Sequence, residues 1–195
     1  PAMQTSVDAG ERTPVPLHPT MADGIAVSNV GALTFELVQK YVDEIVTVDE
    51  EEIAAAVLTL LEGEKTLVEG AGATPLAAVL NNKLNVAGMT VALLCSGGNI
   101  DVTMLSRIIE RGLVKDGRME RLRLMVPDAP GALADLSRVI ADAQGNILDI
   151  RHDRAFLTGP LGTSQVTVTI GARGHDHLNR IKEALHDAQK KVVDS

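Results

Sequence analysis

The sequence has very few aromatic side chains and a single cysteine. Phe, Tyr and Trp make up 2% of its 195 residues, with no Trp, so aliphatic side chains must fill the core. The lone cysteine, Cys95, excludes an intramolecular disulfide and fits a reducing compartment. With a net charge of −8, no basic patch stands out that could bind nucleic acid. No apolar run reaches the roughly 20 residues of a membrane span. We therefore expect a cytoplasmic protein that binds neither nucleic acid nor a membrane.

The first residues of the chain are rich in proline. Residues 1–20 contain Pro1, Pro14, Pro16 and Pro19, which predict loop with one short helix near Ala2–Ala9. No Met opens the chain. We expect that its start is a cut and not a natural beginning.

Residues 31–111 alternate between helical and extended patterns. Apolar spacing predicts helices over Gly31–Tyr41, from Asp49 to Gly63, from Pro75 to Asn81 and over Val102–Arg111. Strands are predicted over Glu44–Val48, Thr66–Val68 and Met89–Cys95, the last one buried on both faces. Asp49, with Glu52 three residues later, has the spacing of a capping box. The alternation predicts an α/β fold with a parallel sheet.

After Asp116-Gly117-Arg118 the pattern changes, which predicts domains of residues 1–117 and 118–195. The later strands are predicted over Leu122–Val126, Ile147–Arg151, Ser164–Ile170 and Lys191–Val193. The helices between them are predicted over Gly131–Ala143 and residues 175–188. This βαββαβ order is ferredoxin-like. Because pairing with another copy would protect the sheet edge, we expect a homo-oligomer.

Turns that contain glycine are the candidate ligand sites of the first domain. Ser96-Gly97-Gly98-Asn99 follows a predicted buried strand, and ligands of α/β sheets bind where strands end. Its Ser96 hydroxyl can meet a ring nitrogen, and its glycines let a flat ligand approach. Glu69-Gly70-Ala71-Gly72 precedes a helix, whose N-terminus attracts anions. Asp23-Gly24 is a third turn. By pattern alone, each of them also fits a plain turn.

The second domain has one candidate site and no metal signature. Gly131, at a helix start, exposes backbone N–H groups that could hold a carboxylate. Asn146, at the start of the next strand, could reach a polar group of the same ligand. The alternative is a turn that needs Pro130 and Gly131 for geometry. His175 and His177 are interpreted as solvated, and no Cys/His set has zinc spacing, so no metal site is predicted.

Together these segments resemble a known enzyme family. Residues 20–27 (TMADGIAV), 35–54 (FELVQKYVDEIVTVDEEEIA), 69–73 (EGAGA) and 96–118 (SGGNIDVTMLSRIIERGLVKDGR) resemble the C-terminal part of the catalytic domain of threonine ammonia-lyases. These enzymes, also called threonine dehydratases, are relatives of serine racemase with the fold type II (tryptophan synthase β-like) of pyridoxal-phosphate enzymes. Residues 119–195 resemble the ACT-like regulatory domain that follows it in many members.

The resemblance implies a cofactor, a reaction and a set of site residues. The cofactor would be pyridoxal 5′-phosphate, and threonine or serine would lose ammonia to give a 2-oxo acid. Ser96 would bind the pyridine nitrogen beside Gly97, Glu69 would lie near the ring, and Gly24 and Gly70 would form backbone walls. Two ACT domains would pair and bind isoleucine or valine as an allosteric effector near Gly131 and Asn146.

The departures from the family limit what this chain can do alone. The lysine that forms a Schiff base with the cofactor lies in a Ser-x-Lys-x-Arg-Gly-like motif, and no lysine here has that context. The glycine-rich phosphate loop is missing too. We therefore predict no catalytic residue in this chain, no cofactor bound by it alone, and no activity alone.

Two other interpretations stay open. The chain could be a stand-alone amino-acid-binding module with a vestigial enzyme segment, or one half of a split enzyme. If the chain is a fragment, we expect residues 20–117 to associate with another copy or to swap elements, because their apolar strands lack cover. A monodisperse monomer in solution would contradict this expectation.

Overall fold

The computed structural model describes residues 1–154 and 160–193. The chain forms two compact units that divide after Ile109. The division falls inside a helix, α5 (Val102–Lys115). The domain boundary after residue 117 therefore stays a prediction.

The first unit is built from helices and irregular segments. Its helices are α1 (Ala2–Ala9), α2 (Ala32–Tyr41), α3 (Glu50–Thr59), α4 (Gly70–Leu80) and the first part of α5. A 3-10 turn covers Asp23–Ile25, and a π-helical turn, Leu60–Glu64, continues α3. Its main core contains Ile53, Ala56, Val57, Val68, Ala73, Ala77 and Ile108.

The two ends of α3 were predicted with different success. At its start the capping box is confirmed, since Asp49 Oδ1 accepts from Glu52 N at 2.8 Å and Glu52 Oε2 accepts from Asp49 N at 2.9 Å. The predicted stop at Gly63 is wrong. Lys65 takes the left-handed conformation (φ 56°) and its Nζ donates to the carbonyl oxygen of Glu62 at 2.5 Å, so the chain turns two residues later.

Helix α4 begins before the predicted position and contains Pro75 in its interior. A proline there leaves the carbonyl of residue i−4 without its helical donor. In this helix the Thr74 hydroxyl donates to the Ala71 carbonyl at 2.8 Å and replaces that donor. The helix can therefore start at Gly70.

The strands predicted in the first unit are not formed. Glu44–Val48, Thr66–Val68 and Met89–Cys95 are all irregular in the described part of this unit. Met89 is 65% exposed and Leu94 81%, so burial of the last segment on both faces is also wrong. An apolar run favours burial, but a strand needs a neighbouring strand to complete its hydrogen bonds. No such neighbour lies beside these segments in residues 1–109.

The second unit has the predicted βαββαβ order. Its elements are β1 (Met119–Pro127), α6 (Ala132–Asp142), β2 (Asn146–Asp153), β3 (Thr163–Gly171), α7 (His175–Asp187) and β4 (Lys191–Val193). The sheet has the order β2-β3-β1-β4, with antiparallel neighbours throughout.

One face of this sheet is covered by α6 and α7. Leu124 lies opposite Val166 and Leu122 opposite Val168, and these side chains are fully or almost fully buried. Leu136 and Ile140 of α6, and Ile181 and Leu185 of α7, complete the core. β2 is an edge strand with a register shift between Ile147 and Asp149, and Leu148 is 53% exposed.

His177 is not solvated, which corrects the sequence-based interpretation. It is 5% exposed, and its Nδ1 accepts from the Arg173 backbone N at 3.0 Å. The Nε2 atom therefore carries the proton and donates to the Ala143 carbonyl, 2.9 Å away. The imidazole joins the start of α7 to the end of α6, a contact that no local pattern indicates. His175, in contrast, is exposed as predicted.

Candidate functional site

Residues from the predicted turns of the first unit lie together at the start of α4. The Glu69 backbone N donates to the Gly97 carbonyl at 3.1 Å, and the Asn99 backbone N donates to Glu69 Oε2 at 3.1 Å. Gly24 comes close to the same carboxylate from the third turn. The structure therefore brings Gly24, Glu69, Gly70, Ser96 and Gly97 to one place.

The glycines of these turns allow the main chains to touch. A Cβ at Gly70 would lie 2.1 Å from the Met21 carbonyl oxygen, and one at Gly72 would lie 1.8 Å from the Ser96 carbonyl oxygen. One at Gly97 would lie 2.3 Å from Glu69 Cδ. At Gly70 and Gly72 these distances leave no room for a Cβ beside the facing main chain, whereas at Gly97 the Glu69 side chain would have to move. Gly72 was not predicted as a site residue, and the glycine turn itself was its only sequence signal.

Glu50 anchors the segment that carries Gly24, and sequence reasoning missed this role. Its carboxylate accepts from Thr20 Oγ1 at 2.5 Å and from the Met21 backbone N at 2.8 Å. The Thr20 hydroxyl also accepts from the Ala22 backbone N at 3.1 Å. A glutamate in an acidic helix start gives no hint of a partner thirty residues away.

Ser96 presents its hydroxyl at the surface of this cluster. The residue is exposed, and its hydroxyl has no hydrogen-bond partner among the described residues. The next residue, Gly97, has φ +80°, a conformation that favours glycine. The turn thus offers a free hydroxyl beside bare main chain.

Helix α5 begins directly after this turn and is capped by Asp101. The Asp101 Oδ1 atom accepts from the Met104 backbone N at 3.0 Å. This hydrogen bond, helped by one from the Thr103 side chain, lowers the pKa of Asp101 below its ordinary value. Asp101 therefore supplies a hydrogen-bond acceptor for a backbone N–H group in the first turn of α5.

In the second unit, Gly131 and Asn146 lie at opposite ends of α6. Gly131 caps the start of the helix with φ 90°, and Asn146 begins β2 after the helix has ended. An 11-residue helix such as α6 is about 16 Å long. The structure therefore does not bring these predicted effector residues together within one copy.

The described residues contain neither a candidate metal site nor a candidate membrane-spanning helix. Among residues 1–154 and 160–193, no group of three or more His, Cys, Asp or Glu side chains is arranged to hold a metal ion. No helix in those same ranges has the length and apolar character needed to cross a membrane.

Comparison with known families assigns the two parts of the chain. Residues 1–97 match the family of pyridoxal-phosphate-dependent enzymes, and residues 121–188 match the ACT domain. The first part of the chain is thus a segment of a pyridoxal-phosphate-dependent enzyme, and the second contains an ACT domain. These matches confirm the resemblance and the fold class derived from the sequence.

The curated relatives of this chain include two L-threonine ammonia-lyases. That of Thermotoga maritima is 48% identical over 185 residues, which are 95% of this chain and 46% of the relative. That of Geobacter sulfurreducens is 47% identical over 182 residues, 93% of this chain and 45% of the relative. The chain thus spans about half the length of the curated relatives it matches.

A solved structure supports the same assignment. The processed form of threonine deaminase isoform 2 from Solanum lycopersicum is 28% identical, with a TM-score of 0.50. The match covers 56% of this chain and 32% of that one.

The cluster at Ser96 fits one side of pyridoxal phosphate. A free hydroxyl suits a pyridine nitrogen, and main chain without side chains suits a flat ring. The lysines of the first unit are engaged elsewhere. Lys40 lies over the Tyr41 ring, Lys65 bonds the Glu62 carbonyl, and Lys83 pairs with Glu52 at 2.8 Å, a contact that raises the pKa of Lys83. With the cofactor bound, these residues would line the ring and would not attach it covalently.

We predict that Gly70→Ala destabilises the first unit, whereas Gly63→Ala does not. The new Cβ at residue 70 would overlap the Met21 carbonyl, and such overpacking costs about 1–3 kcal/mol. A Cβ at Gly63 meets nothing within 4 Å, so this matched helical variant should be neutral or more stable by roughly 0.5–1 kcal/mol. Urea unfolding followed by circular dichroism measures both. Equal midpoints for the two variants would contradict the close contact.

We also predict a pH-dependent effect of Asp101→Ala on thermal stability. Because folding lowers the pKa of Asp101, its contribution is fully present above the unfolded value of about 3.9 and is lost as the pH falls through the folded value. The variant should melt at a lower temperature than the wild type at pH 7, and the difference should shrink in acid. Asp43→Ala, an exposed control, should match the wild type throughout. A difference that stays constant down to pH 3 would rule out the capping role.

Proposed function

We propose that this chain is part of a threonine ammonia-lyase, an enzyme that deaminates L-threonine, L-serine or both, with L-threonine giving 2-oxobutanoate and ammonia. The observation that supports this most is the free Ser96 hydroxyl on the turn clamped by Glu69 and lined by glycine main chain. The curated relatives carry the same activity in their names. The second unit would then be the regulatory domain.

In this proposal the residues of the chain bind and orient the cofactor. When bound, pyridoxal phosphate supplies the electron sink for the reaction. The Ser96 hydroxyl would meet the ring nitrogen as a neutral partner beside Gly97, while Gly24 and Gly70 would form backbone walls of the pocket. Glu69 lies behind this surface. The chain by itself would neither hold the cofactor nor catalyse, because it offers no lysine beside Ser96.

A second candidate is a stand-alone amino-acid-binding module. What favours it is the difference between the units: the second has a closed core under a four-stranded sheet, while the first leaves Met89 and Leu94 exposed. Such a module would bind isoleucine or valine without any cofactor.

We also propose, on the basis of the exposed β2 edge and the lone cysteine, a homo-oligomer in the cytoplasm.

We propose that the effector site lies between two copies. The Asp128–Arg154 ion pair, 3.0 Å long, places the turn before Gly131 at the end of β2, whereas Asn146 stands at its start. If the β2 edges of two copies pair antiparallel, Asn146 of one copy meets the Gly131 turn of the other. The exposed Leu148 and Ile150 would be covered by this pairing.

The activity is tested on the protein expressed from its complete gene, with pyridoxal phosphate and L-threonine. We expect release of 2-oxobutanoate. Ser96→Ala should weaken cofactor affinity about tenfold, since it removes one hydrogen bond to a ring that carries charge. Ser106→Ala, an exposed position on α5, should leave affinity unchanged. Absence of 2-oxobutanoate, or equal affinities for all three proteins, would refute the proposal.

The shared effector site is tested by mixing two variants. Gly131→Ala and Asn146→Ala should each lose isoleucine or valine binding in calorimetry. If each site takes Gly131 from one copy and Asn146 from the other, a refolded mixture regains binding, because every mixed pair contains one intact site. If both residues served the same copy, the mixture would stay as weak as its parts. Two copies of Asn146→Ala alone, treated identically, are the control.

A further inference from the structure

The Glu69 side chain lies inside the turn that carries Ser96. Its Oε2 accepts from the Asn99 backbone N at 3.1 Å, and a Cβ on Gly97 would lie 2.5 Å from Oε1 and 2.6 Å from Oε2. Its own backbone N donates to the Gly97 carbonyl. Side chain and main chain of one residue therefore hold the turn on both sides of Gly98.

The same carboxylate also lies close to Gly24 and leaves little room for a side chain at that position. A Cβ on Gly24 would lie 3.1 Å from Glu69 Oε1, tighter than an ordinary contact. No ion pair with Glu69 is present among the described residues, so a main-chain N–H and not a cation satisfies it. The carboxylate is half-buried in this position. The surrounding main chain therefore contacts this carboxylate through its shape and through its acceptor atoms.

We propose that Glu69 is a positioning residue that fixes the Ser96 turn through hydrogen bonding, and that it does not act on the cofactor through its charge. This inference rests on the proposed function, since it assigns to Ser96 the contact with the ring nitrogen. The family resemblance places Glu69 near the ring without saying whether it acts by hydrogen bonding or by charge, and this inference assigns it the hydrogen-bonding role. A glutamine keeps an acceptor oxygen and the shape of the side chain, so Glu69→Gln preserves the role and Glu69→Ala removes it.

The first test measures amide hydrogen exchange of this chain by NMR. The Asn99 amide should exchange roughly tenfold faster in Glu69→Ala, because it loses its acceptor. In Glu69→Gln it should stay close to the wild-type rate. The amide of Asn81, the C-cap of α4, donates to the Ala77 carbonyl and is the internal reference for the folding of this helix. Glu64→Ala, an exposed glutamate after α3, is the matched control.

The second test uses the protein from the complete gene and measures the affinity for pyridoxal phosphate and its absorbance maximum. If Glu69 acts through Ser96, Glu69→Ala weakens affinity about as much as Ser96→Ala, and the double variant is no weaker than either. Glu69→Gln then leaves both readouts unchanged. If the charge of Glu69 acts on the ring, Glu69→Gln shifts the absorbance maximum as Glu69→Ala does, and the proposal is overturned.

The two tests separate this inference from the proposed function. If the complete protein binds no pyridoxal phosphate, the proposed function fails, and the exchange rate of Asn99 still decides the hydrogen-bonding role. An unchanged Asn99 rate in a folded Glu69→Ala variant overturns the positioning role, whatever the activity. If Glu69→Ala unfolds and the Asn81 amide loses protection too, Glu69→Gln decides: fast exchange of Asn99 alone overturns the proposal, and a wild-type rate supports it.

Discussion

The first unit depends on main-chain contacts that only glycine permits. The Gly70 contact with Met21 and the Gly72 contact with Ser96 pull separate segments onto the start of α4. Glu69 then uses the space left at Gly97 to bond Asn99. The surface beside Ser96 is therefore formed largely by main-chain atoms that other segments hold in place. A surface that is already formed before a ligand binds lowers the entropy that binding must overcome.

The two units differ in how far the sequence predicted them, and the reason is where their partners lie. In the second unit every strand pairs with another strand of the same unit, so the alternation of Val166, Val168 and Ile170 meets its partners in the same domain. The apolar run Met89–Cys95 has an equally strong pattern but no neighbouring strand in its unit. A sequence pattern can predict that a segment is buried, but it does not identify the segment that packs against it.

The candidate site shows the same division between local and distant information. Ser96, Glu69 and all the glycines of the cluster except Gly72 were predicted, because turn chemistry and family resemblance mark them. The anchor at Glu50 and the contact of His177 with Ala143 were not, because both join segments about thirty residues apart through side chains that look like ordinary helix-start residues. Local patterns therefore found the residues of the wall but not what supports it.

Regulation by the ACT domain requires two sites whose binding free energies are coupled. Under the proposed function neither site would be whole within one copy, because the residues around Ser96 include no lysine and Gly131 and Asn146 stand at opposite ends of α6. A site shared between copies makes effector binding depend on association, because only the paired form binds the effector with both residues. The effector then stabilises the pair by mass action, and its concentration can control the assembled population. With such a shared site, the effector would regulate the enzyme by changing the fraction of copies that are associated.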